Sequence, residues 1–311
     1  MGEARRAKMR RLVRRSMLFV PANVPKYVER AHERGADALI LDLEDSVPPS
    51  EKAEARKALR PAYPSVSRRG ADVLVRINKP FEERVRDLDA AIAPGIDGIL
   101  FPKLETAQEL AILDALIHER ELATGLAPGT VGVLCAIESA RGVLNIGEIV
   151  AACAQMERVF GISYGAEDAT EELGVETTLE GWERFYGNAV AVQAAAAAGI
   201  QPYGRLGSAF DFRDLSQYED SARRSAQFGF KGSSCIHPAQ VPILNRAFSP
   251  GAEQVERARK TIELMREALR AGRASASLDG RMIDTPTLRR AERILERQAA
   301  IEEKEARKVA G

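Results

Sequence analysis

At 311 residues the chain is long enough to bury a sizeable core, as one large barrel-type domain or two smaller ones. A composition of 45% hydrophobic and 29% charged residues, with 45 basic and 45 acidic side chains, is that of an ordinary globular protein and creates no net field to hold a nucleic acid. No apolar stretch reaches the ~18 residues that a membrane-spanning helix needs.

The first fifteen residues are basic, with Arg5, Arg6, Lys8, Arg10, Arg11, Arg14 and Arg15. No apolar segment follows as in a secretory signal, so residues 1–14 are expected to form a solvated basic arm. Arg15 is set apart because it abuts the first strand. From there strand-like and helix-like runs alternate. Ser16–Ala22 reads as strand one, Tyr27–Arg34 as a helix stopped at Gly35, and Ala38–Leu43 as strand two. Pro48, Pro49 and Ser50 open a charged helix that ends near Leu59. Val73–Asn78 is strand three and Glu82–Ile92 a helix; Gly98–Pro102 is strand four and Thr106–Leu122 a long amphipathic helix. Val131–Glu138 is strand five, Ala140–Ala154 a helix, and Val159–Tyr164 strand six. Helical sequence including Ala191–Ala198 leads to a weaker strand seven within Pro202–Phe210, which Gly204 and Gly207 interrupt. A helix to about Phe228, strand eight at Gly232–His237 and a helix from Pro238 complete the series.

Eight strand-then-helix units over residues 15–250 match the length of an α/β protein of the (β/α)8 TIM-barrel class. A doubly wound sheet is the competing architecture, but no strand is followed by the Gly-rich dinucleotide fingerprint. Residues 251–311 are surplus to the barrel: a helix over Ala252–Ala271, a small-residue loop over Gly272–Asp284, and a charged helix over Pro286–Val309. A C-terminal helical extension of this kind is a candidate lid or subunit-exchanged arm. Cys135, Cys153 and Cys235 show no CxxC spacing and read as buried free thiols of a protein in a reducing cytoplasm.

Five of the strand-like runs end in charged residues, which is how the active face of an α/β enzyme is built. Glu138 follows strand five and Asp168 follows strand six, so the two carboxylates converge on the barrel mouth. Two carboxylates, with water and substrate oxygens, are what Mg²⁺ or Mn²⁺ accepts; as surface acids they would instead sit at helix N-termini. Arg76 ends strand three, where its guanidinium can grip a substrate carboxylate or pair internally with Glu44 or Asp45. Lys103 offers either a Schiff-base amine or an ion pair with Glu44 or Glu138, and the metal-type carboxylates make the Schiff base redundant. Glu44 and Asp45 are expected to stand behind the site, orienting waters or Arg76. His237, at the end of strand eight, reads as a base, a phosphate contact or a structural histidine. His32 and His118 lie in helices among charges.

These motifs carry a resemblance. Arg15-Ser-Met-Leu-Phe-Val-Pro21, Asp42-Leu-Glu-Asp45, Arg76-Ile-Asn78, Pro102-Lys-Leu-Glu105, Ile137-Glu-Ser139 with Gly142, and Gly165-Ala-Glu-Asp168 occur in this order. Gly229-Phe-Lys-Gly232, Ile236-His-Pro238 and Gly280-Arg-Met-Ile-Asp284-Thr-Pro286 follow. Over about residues 14–300 the chain resembles the citrate lyase β-subunit-like group of CoA-ester lyases, which includes malyl-CoA, methylmalyl-CoA and citramalyl-CoA lyases. The resemblance implies a homotrimer or a hexamer of barrels, Mg²⁺ held by Glu138 and Asp168, and Arg76 on the substrate; Arg15, against strand one, and Glu138 are further substrate-contact candidates. It also implies that Asp284 reaches a neighbouring subunit's site as its acid/base, so that residues 251–311 serve the next subunit as a lid. Asp284 also suits an N-cap of the last helix, with Pro286 near its start. Two positions depart from the family's pattern: Ser233 and Ser234 stand where many relatives carry a lysine after the Gly232 equivalent, and Gly204-Arg205 stands where an acid is more familiar.

The implied reaction is a reversible cleavage of a 3-hydroxyacyl-CoA to an acyl-CoA and a 2-oxo acid, glyoxylate or pyruvate. Other readings are the β subunit of a citrate lyase complex, acting on an acyl carrier protein, and a malate synthase or thioesterase variant of the same site. A small 2-oxo-acid aldolase without CoA would leave the C-terminal arm unexplained.

Overall fold

The computed structural model describes residues 3–178, 181–207 and 215–310. Eight parallel strands, β1 (Ser16–Pro21), β2 (Ala38–Asp42), β3 (Asp72–Arg76), β4 (Gly98–Phe101), β5 (Gly132–Ile137), β6 (Val159–Tyr164), β7 (Gln201–Tyr203) and β8 (Ser233–Cys235), form one sheet in the order β7-β6-β5-β4-β3-β2-β1-β8. Hydrogen bonds from Gly204 N to Gly232 O (3.1 Å) and from Lys231 N to Pro202 O (2.9 Å) join its two edges. The sheet is therefore an almost closed (β/α)8 barrel with its helices outside.

Period-two alternation decides which residues enter the barrel. Met17, Ala38, Ile40, Leu74, Leu100, Leu134, Ala136, Phe160 and Tyr203 pack together as its interior. Their neighbours Leu18, Leu39, Leu41, Val73, Val75, Ile99, Val133 and Cys135 face the helices in the larger core. Continuing the inward rows by two residues carries Ile40 to Asp42, Leu74 to Arg76 and Ala136 to Glu138. The carboxyl-end mouth receives its charges in this way.

The amino-end floor is closed differently from expectation. Residues 1–14 were expected as a solvated arm, but Glu3–Arg11 is a helix. Met9 of that helix is buried in the barrel interior, and the Gln201 side-chain amide donates to the Met9 and Leu12 carbonyls. Arg14 is buried, with its guanidinium 4.1 Å from the centre of the Phe160 ring and bonded to Asp72 Oδ2 at 2.7 Å. An arginine-rich segment can line this floor because the strands begin with acids. Gly232 is required there, since a Cβ would lie 2.0 Å from Arg14 O.

The C-terminal helix Thr285–Ala310 packs on helix Ala252–Arg270 through Ala258, Ile262, Leu288, Ala291 and Leu295. Its distal half crosses the floor, where Lys304 pairs with Asp72, Lys308 with Asp37 (2.6 Å) and Glu305 with Arg15. Within one chain the extension thus seals the floor and does not cover its own mouth. The loop expected over 272–284 contains a hairpin, β9 (Ala276–Leu278) and β10 (Arg281–Ile283).

Other boundaries differ for local reasons. The helix expected to end near Leu59 runs on to Val66 through Pro61 and Pro64, held by burial of Tyr63 and Val66. The expected helix over Tyr27–Arg34 divides into Pro25–Glu29 and a tighter turn at Ala31–Arg34, and that over Ala140–Ala154 breaks at Asn145. Strand seven ends at Tyr203, and positions 208–210 of the expected strand lie outside the described residues. Among the described residues no helix is long and apolar enough to cross a membrane. The three cysteines are buried and form no disulfide.

Candidate active site

The mouth opens into a cavity of about 400 Å³ bordered by Phe19, Asp42, Asp45, Arg76, Glu138, Asp168, Arg184 and Arg205, with Leu100, Leu134 and Tyr203 below. Asp42 and Arg76 are register partners across β2 and β3. Their side chains form a forked pair, Nε to Oδ1 and Nη2 to Oδ2, both at 2.7 Å. Arg76 Nη1 lies 2.8 Å from Glu44 Oε2, and the guanidinium carbon lies 4.6 Å from the Phe19 ring centre. The fork consumes two of five N–H donors, so three remain for Glu44 and a substrate. Asp42, which the sequence reading had not singled out as the clamp, is fully buried and also accepts from Glu44 N and Ser46 N.

Lys103 follows β4 with a φ of 50°, the left-handed region that costs a non-glycine residue roughly 1–3 kcal/mol. That turn aims its N–H at Glu138 Oε2, 2.9 Å away. Its ammonium lies 3.0 Å from Glu44 Oε1 and 3.6 Å from both Asp45 Oδ2 and Asp168 Oδ1. Against the cost of burial, these carboxylates raise the Lys103 pKa, the opposite of what a Schiff-base amine needs.

Glu138 and Asp168 come together at this point. Asp168 lies in the first turn of helix Ala166–Glu172, directly after β6. Burial, then the charges of Asp168 and Glu44, push the Glu138 carboxyl up to about 7. A carboxyl raised by neighbouring carboxylates is one that a bound cation would return to its ordinary range. Gly165 makes room for it, since a Cβ would lie 2.5 Å from Glu138 Cγ. Among the described residues no three acid, cysteine or histidine side chains form a metal-holding cluster. Two carboxylates brought together at a cavity mouth fit a hard cation such as Mg²⁺, which takes the rest of its shell from water and substrate oxygens.

Three predicted residues do not border this cavity, two of them in the structural roles that the sequence also offered, Asp284 as a helix cap and His237 as a structural histidine. Arg15, expected on the substrate, precedes β1 and so lies at the floor, opposite the mouth. Its guanidinium is spent on Asp37 (2.8 Å), Ser249 (3.0 Å) and Glu305, and it is not a substrate contact. Asp284 caps the last helix: its Oδ1 accepts from Thr287 Oγ1 (2.7 Å) and Thr287 N (3.1 Å), which hold its carboxyl below the usual range. It does not border the mouth of its own chain. His237 Nδ1 accepts from Ala239 N at 3.2 Å, a structural cap.

Two arginines on the opposite wall were not foreseen as site residues. Arg184, buried in helix Trp182–Ala198, faces the Glu167 carboxylate at 3.3 and 3.4 Å. Arg205 follows β7; the strand-end rule that selected Arg76 would have selected it.

The sequence model of the HpcH/HpaI aldolase/citrate lyase family matches residues 15–238. The chain is 37% identical over 285 residues to citrate lyase subunit beta of Escherichia coli, covering 91% of this chain and 93% of that one. It is 33% identical over 305 residues to the L-malyl-CoA/beta-methylmalyl-CoA lyase of Cereibacter sphaeroides, covering 92% and 94%. Its structure resembles that of protein CitE from Mycobacterium tuberculosis in complex with magnesium, acetoacetate and coenzyme A. The TM-score is 0.71 at 30% identity, covering 93% of this chain and 99% of that one.

Proposed function

The chain belongs to the HpcH/HpaI aldolase/citrate lyase family and is a lyase, and from that premise we propose that it is a Mg²⁺-dependent carbon–carbon lyase. Its substrate is a 3-hydroxyacyl thioester of the malyl-, methylmalyl- or citramalyl-CoA type, cleaved reversibly to an acyl-CoA and a 2-oxo acid. The observation that carries this reading is the Glu138–Asp168 pair, with Glu138 raised to about 7, beside a clamped arginine in one cavity. The similar M. tuberculosis protein, a complex with magnesium and coenzyme A, supports it.

Glu138 and Asp168 would hold the Mg²⁺ ion, which when bound acidifies an adjacent hydroxyl and offsets charge on oxygen. Arg76, fixed by Asp42 and Glu44, presents its remaining N–H groups to the substrate carboxylate. Lys103 steadies Glu138 through its backbone and Asp168 through its ammonium. Asp284 of a neighbouring subunit accepts the hydroxyl proton as general base. As the bond between the α- and β-carbons breaks, its electron pair passes to the thioester as an enolate. Protonation of the α-carbon then releases the acyl thioester.

The likeness to E. coli citrate lyase subunit beta supports, to the same degree, a citryl thioester on an acyl carrier protein. The test is cleavage of malyl-CoA and citramalyl-CoA by the purified chain, with Mg²⁺ and then with EDTA. Metal-dependent release of glyoxylate or pyruvate is expected. No turnover of either CoA ester, with turnover of the citryl carrier, moves the reading to the second substrate.

A further inference from the structure

A second cavity, of about 710 Å³, lies at the floor end of the barrel, away from the mouth. Helix Leu215–Phe228, the end of helix Val241–Ala247 and the segment before β8 form one side of it, and the C-terminal helix Thr285–Ala310 forms the other. Two of its residues fix its level along the barrel: Lys231 precedes β8, and Arg297 Nη1 donates to Leu12 O, ahead of β1, at 2.7 Å. Among the described residues six cations border it, Arg223, Lys231, Arg246, Arg290, Arg293 and Arg297, against one acid, Glu219.

In a chain with equal numbers of acids and bases this is a local excess of positive charge. Glu219 pairs with Arg246 at 3.0 Å, and Arg223 turns to Asp220. No described carboxylate lies within 4.0 Å of Lys231, Arg290, Arg293 or Arg297; Arg290 acts on Asp284 only at longer range. Arg290, Arg293 and Arg297 follow one another at i, i+3 and i+7 on one face of the C-terminal helix, a like-charge row that destabilises a helix unless something offsets it. Glu296 of the same helix pairs instead with Arg10, at 2.8 Å. Arg297 Nη2 donates to Lys231 O at 3.0 Å, which draws a fourth cation to the row without neutralising it. Desolvation, then the charges of Arg297 and Arg293, lower the Lys231 pKa. Helix Ala252–Arg270 begins beside the cavity without a side-chain cap, and Pro250 and Gln254 at its start border the space, so its positive end adds to the field.

Guanidinium forks beside a lysine point charge are the donors that phosphate oxygens take. Several uncompensated positive charges call for more than a single monoanion, and a diphosphate supplies the matching charge in one group. The volume falls within the range of small-molecule sites, and Phe230, Phe248 and Ile294 give the cavity an apolar floor on which an organic substituent can rest. We propose that this cavity binds a small molecule bearing a diphosphate, and that the ligand fastens the C-terminal helix to the barrel. Its phosphates would bridge Lys231 on the barrel side to Arg293 and Arg297 on the helix. The site is separate from the mouth and independent of the chemistry read there.

The test is calorimetric titration of the purified protein with inorganic pyrophosphate, with ADP, and with sulfate at the same ionic strength, all in EDTA so that no metal at the mouth takes part. Pyrophosphate is expected to bind once per chain, at least ~10-fold more tightly than sulfate, and to raise the melting temperature. R293E should weaken pyrophosphate at least ~10-fold and abolish that rise. Without ligand it should melt no lower than wild type, because its carboxylate supplies the missing counter-charge; a merely solvated arginine would leave both readings unmoved. ADP binding more tightly than pyrophosphate identifies an organic diphosphate as the ligand, and equal affinities identify the inorganic group; both uphold the site. No binding of pyrophosphate or ADP, sulfate binding as tightly, or pyrophosphate binding unchanged in R293E overturns it. Should R293E fail to fold, K231Q, which should weaken pyrophosphate several-fold, decides the matter. Cleavage is not read in this test, so its failure leaves the lyase reading standing.

Discussion

Glu138 is held between two opposing requirements: it must be ionised to take a cation, yet burial, Asp168 and Glu44 favour its protonated form. Mg²⁺ binding must therefore displace a proton at low pH. Mg²⁺ affinity is expected to fall about tenfold per pH unit below pH 7 and to level off above it, as calorimetry at several pH values will show. Glu138→Gln should remove that pH dependence together with the high-affinity binding; an unchanged profile would exclude Glu138 as a ligand. Gly165→Ala is a finer probe. Its Cβ would meet Glu138 Cγ at 2.5 Å, and the flexible glutamate would yield before the backbone. Mg²⁺ affinity should weaken at least ~10-fold with little change in thermal stability, because displacing a ligand by a fraction of an ångström spoils a site without emptying the core. A large drop in stability with intact binding would contradict that placement.

The strand ends and the floor divide the work between function and stability. At the floor, Asp37 joins the start of β2 to Arg15 of the N-terminal segment and to Lys308 of the last helix. Burial would push its carboxyl up, but the hydrogen bonds and charge of Arg15, then Lys308, bring it down to about 2. A lowered pKa means that the clamp contributes fully above the ordinary aspartate range of about 4 and is lost as pH falls towards 2. Asp37→Asn should cost about 3 kcal/mol, as a broken buried pair does, and lower the melting temperature by roughly 6–12 °C. The loss should shrink in acid, and cleavage at permissive temperature should persist because Asp37 lies opposite the mouth. Equal melting temperatures would show that the extension is not anchored there. The barrel strands were legible because period-two alternation and charged endings coincide in β2, β3 and β5. The floor was not: an arginine-rich N-terminus reads as solvated unless one knows that Asp37, Asp72 and Asp97 gather at the strand starts. The run of the third helix through Pro61 and Pro64 was hidden for a similar reason, because burial of Tyr63 overrides local propensity.

In the whole molecule, Arg76, Glu138 and Asp168 could be read from the sequence because each sits at a strand end, and position relative to a strand is local information. Arg15 was misplaced because a charge abutting β1 was read as part of the site, whereas a position before the strand assigns it to the floor. Asp284 could be read only by resemblance, since its contacts within one chain are those of a helix cap. If it serves a neighbouring subunit, Glu138→Gln and Asp284→Asn chains, each inactive alone, should recover part of the wild-type activity when co-assembled, because some mouths then combine an intact Glu138 with an intact Asp284. Inactivity of the mixed oligomer, with both parents folded, would confine Asp284 to capping. The central claim is that the paired carboxylates of the mouth perform metal-dependent carbon–carbon cleavage. It is tested most directly by following 2-oxo acid release from a 3-hydroxyacyl thioester by wild-type and Glu138→Gln proteins in Mg²⁺. The expected result is release equimolar with the acyl thioester, abolished by EDTA and reduced at least ~100-fold in the variant. Release that survives both EDTA and the substitution would contradict the account.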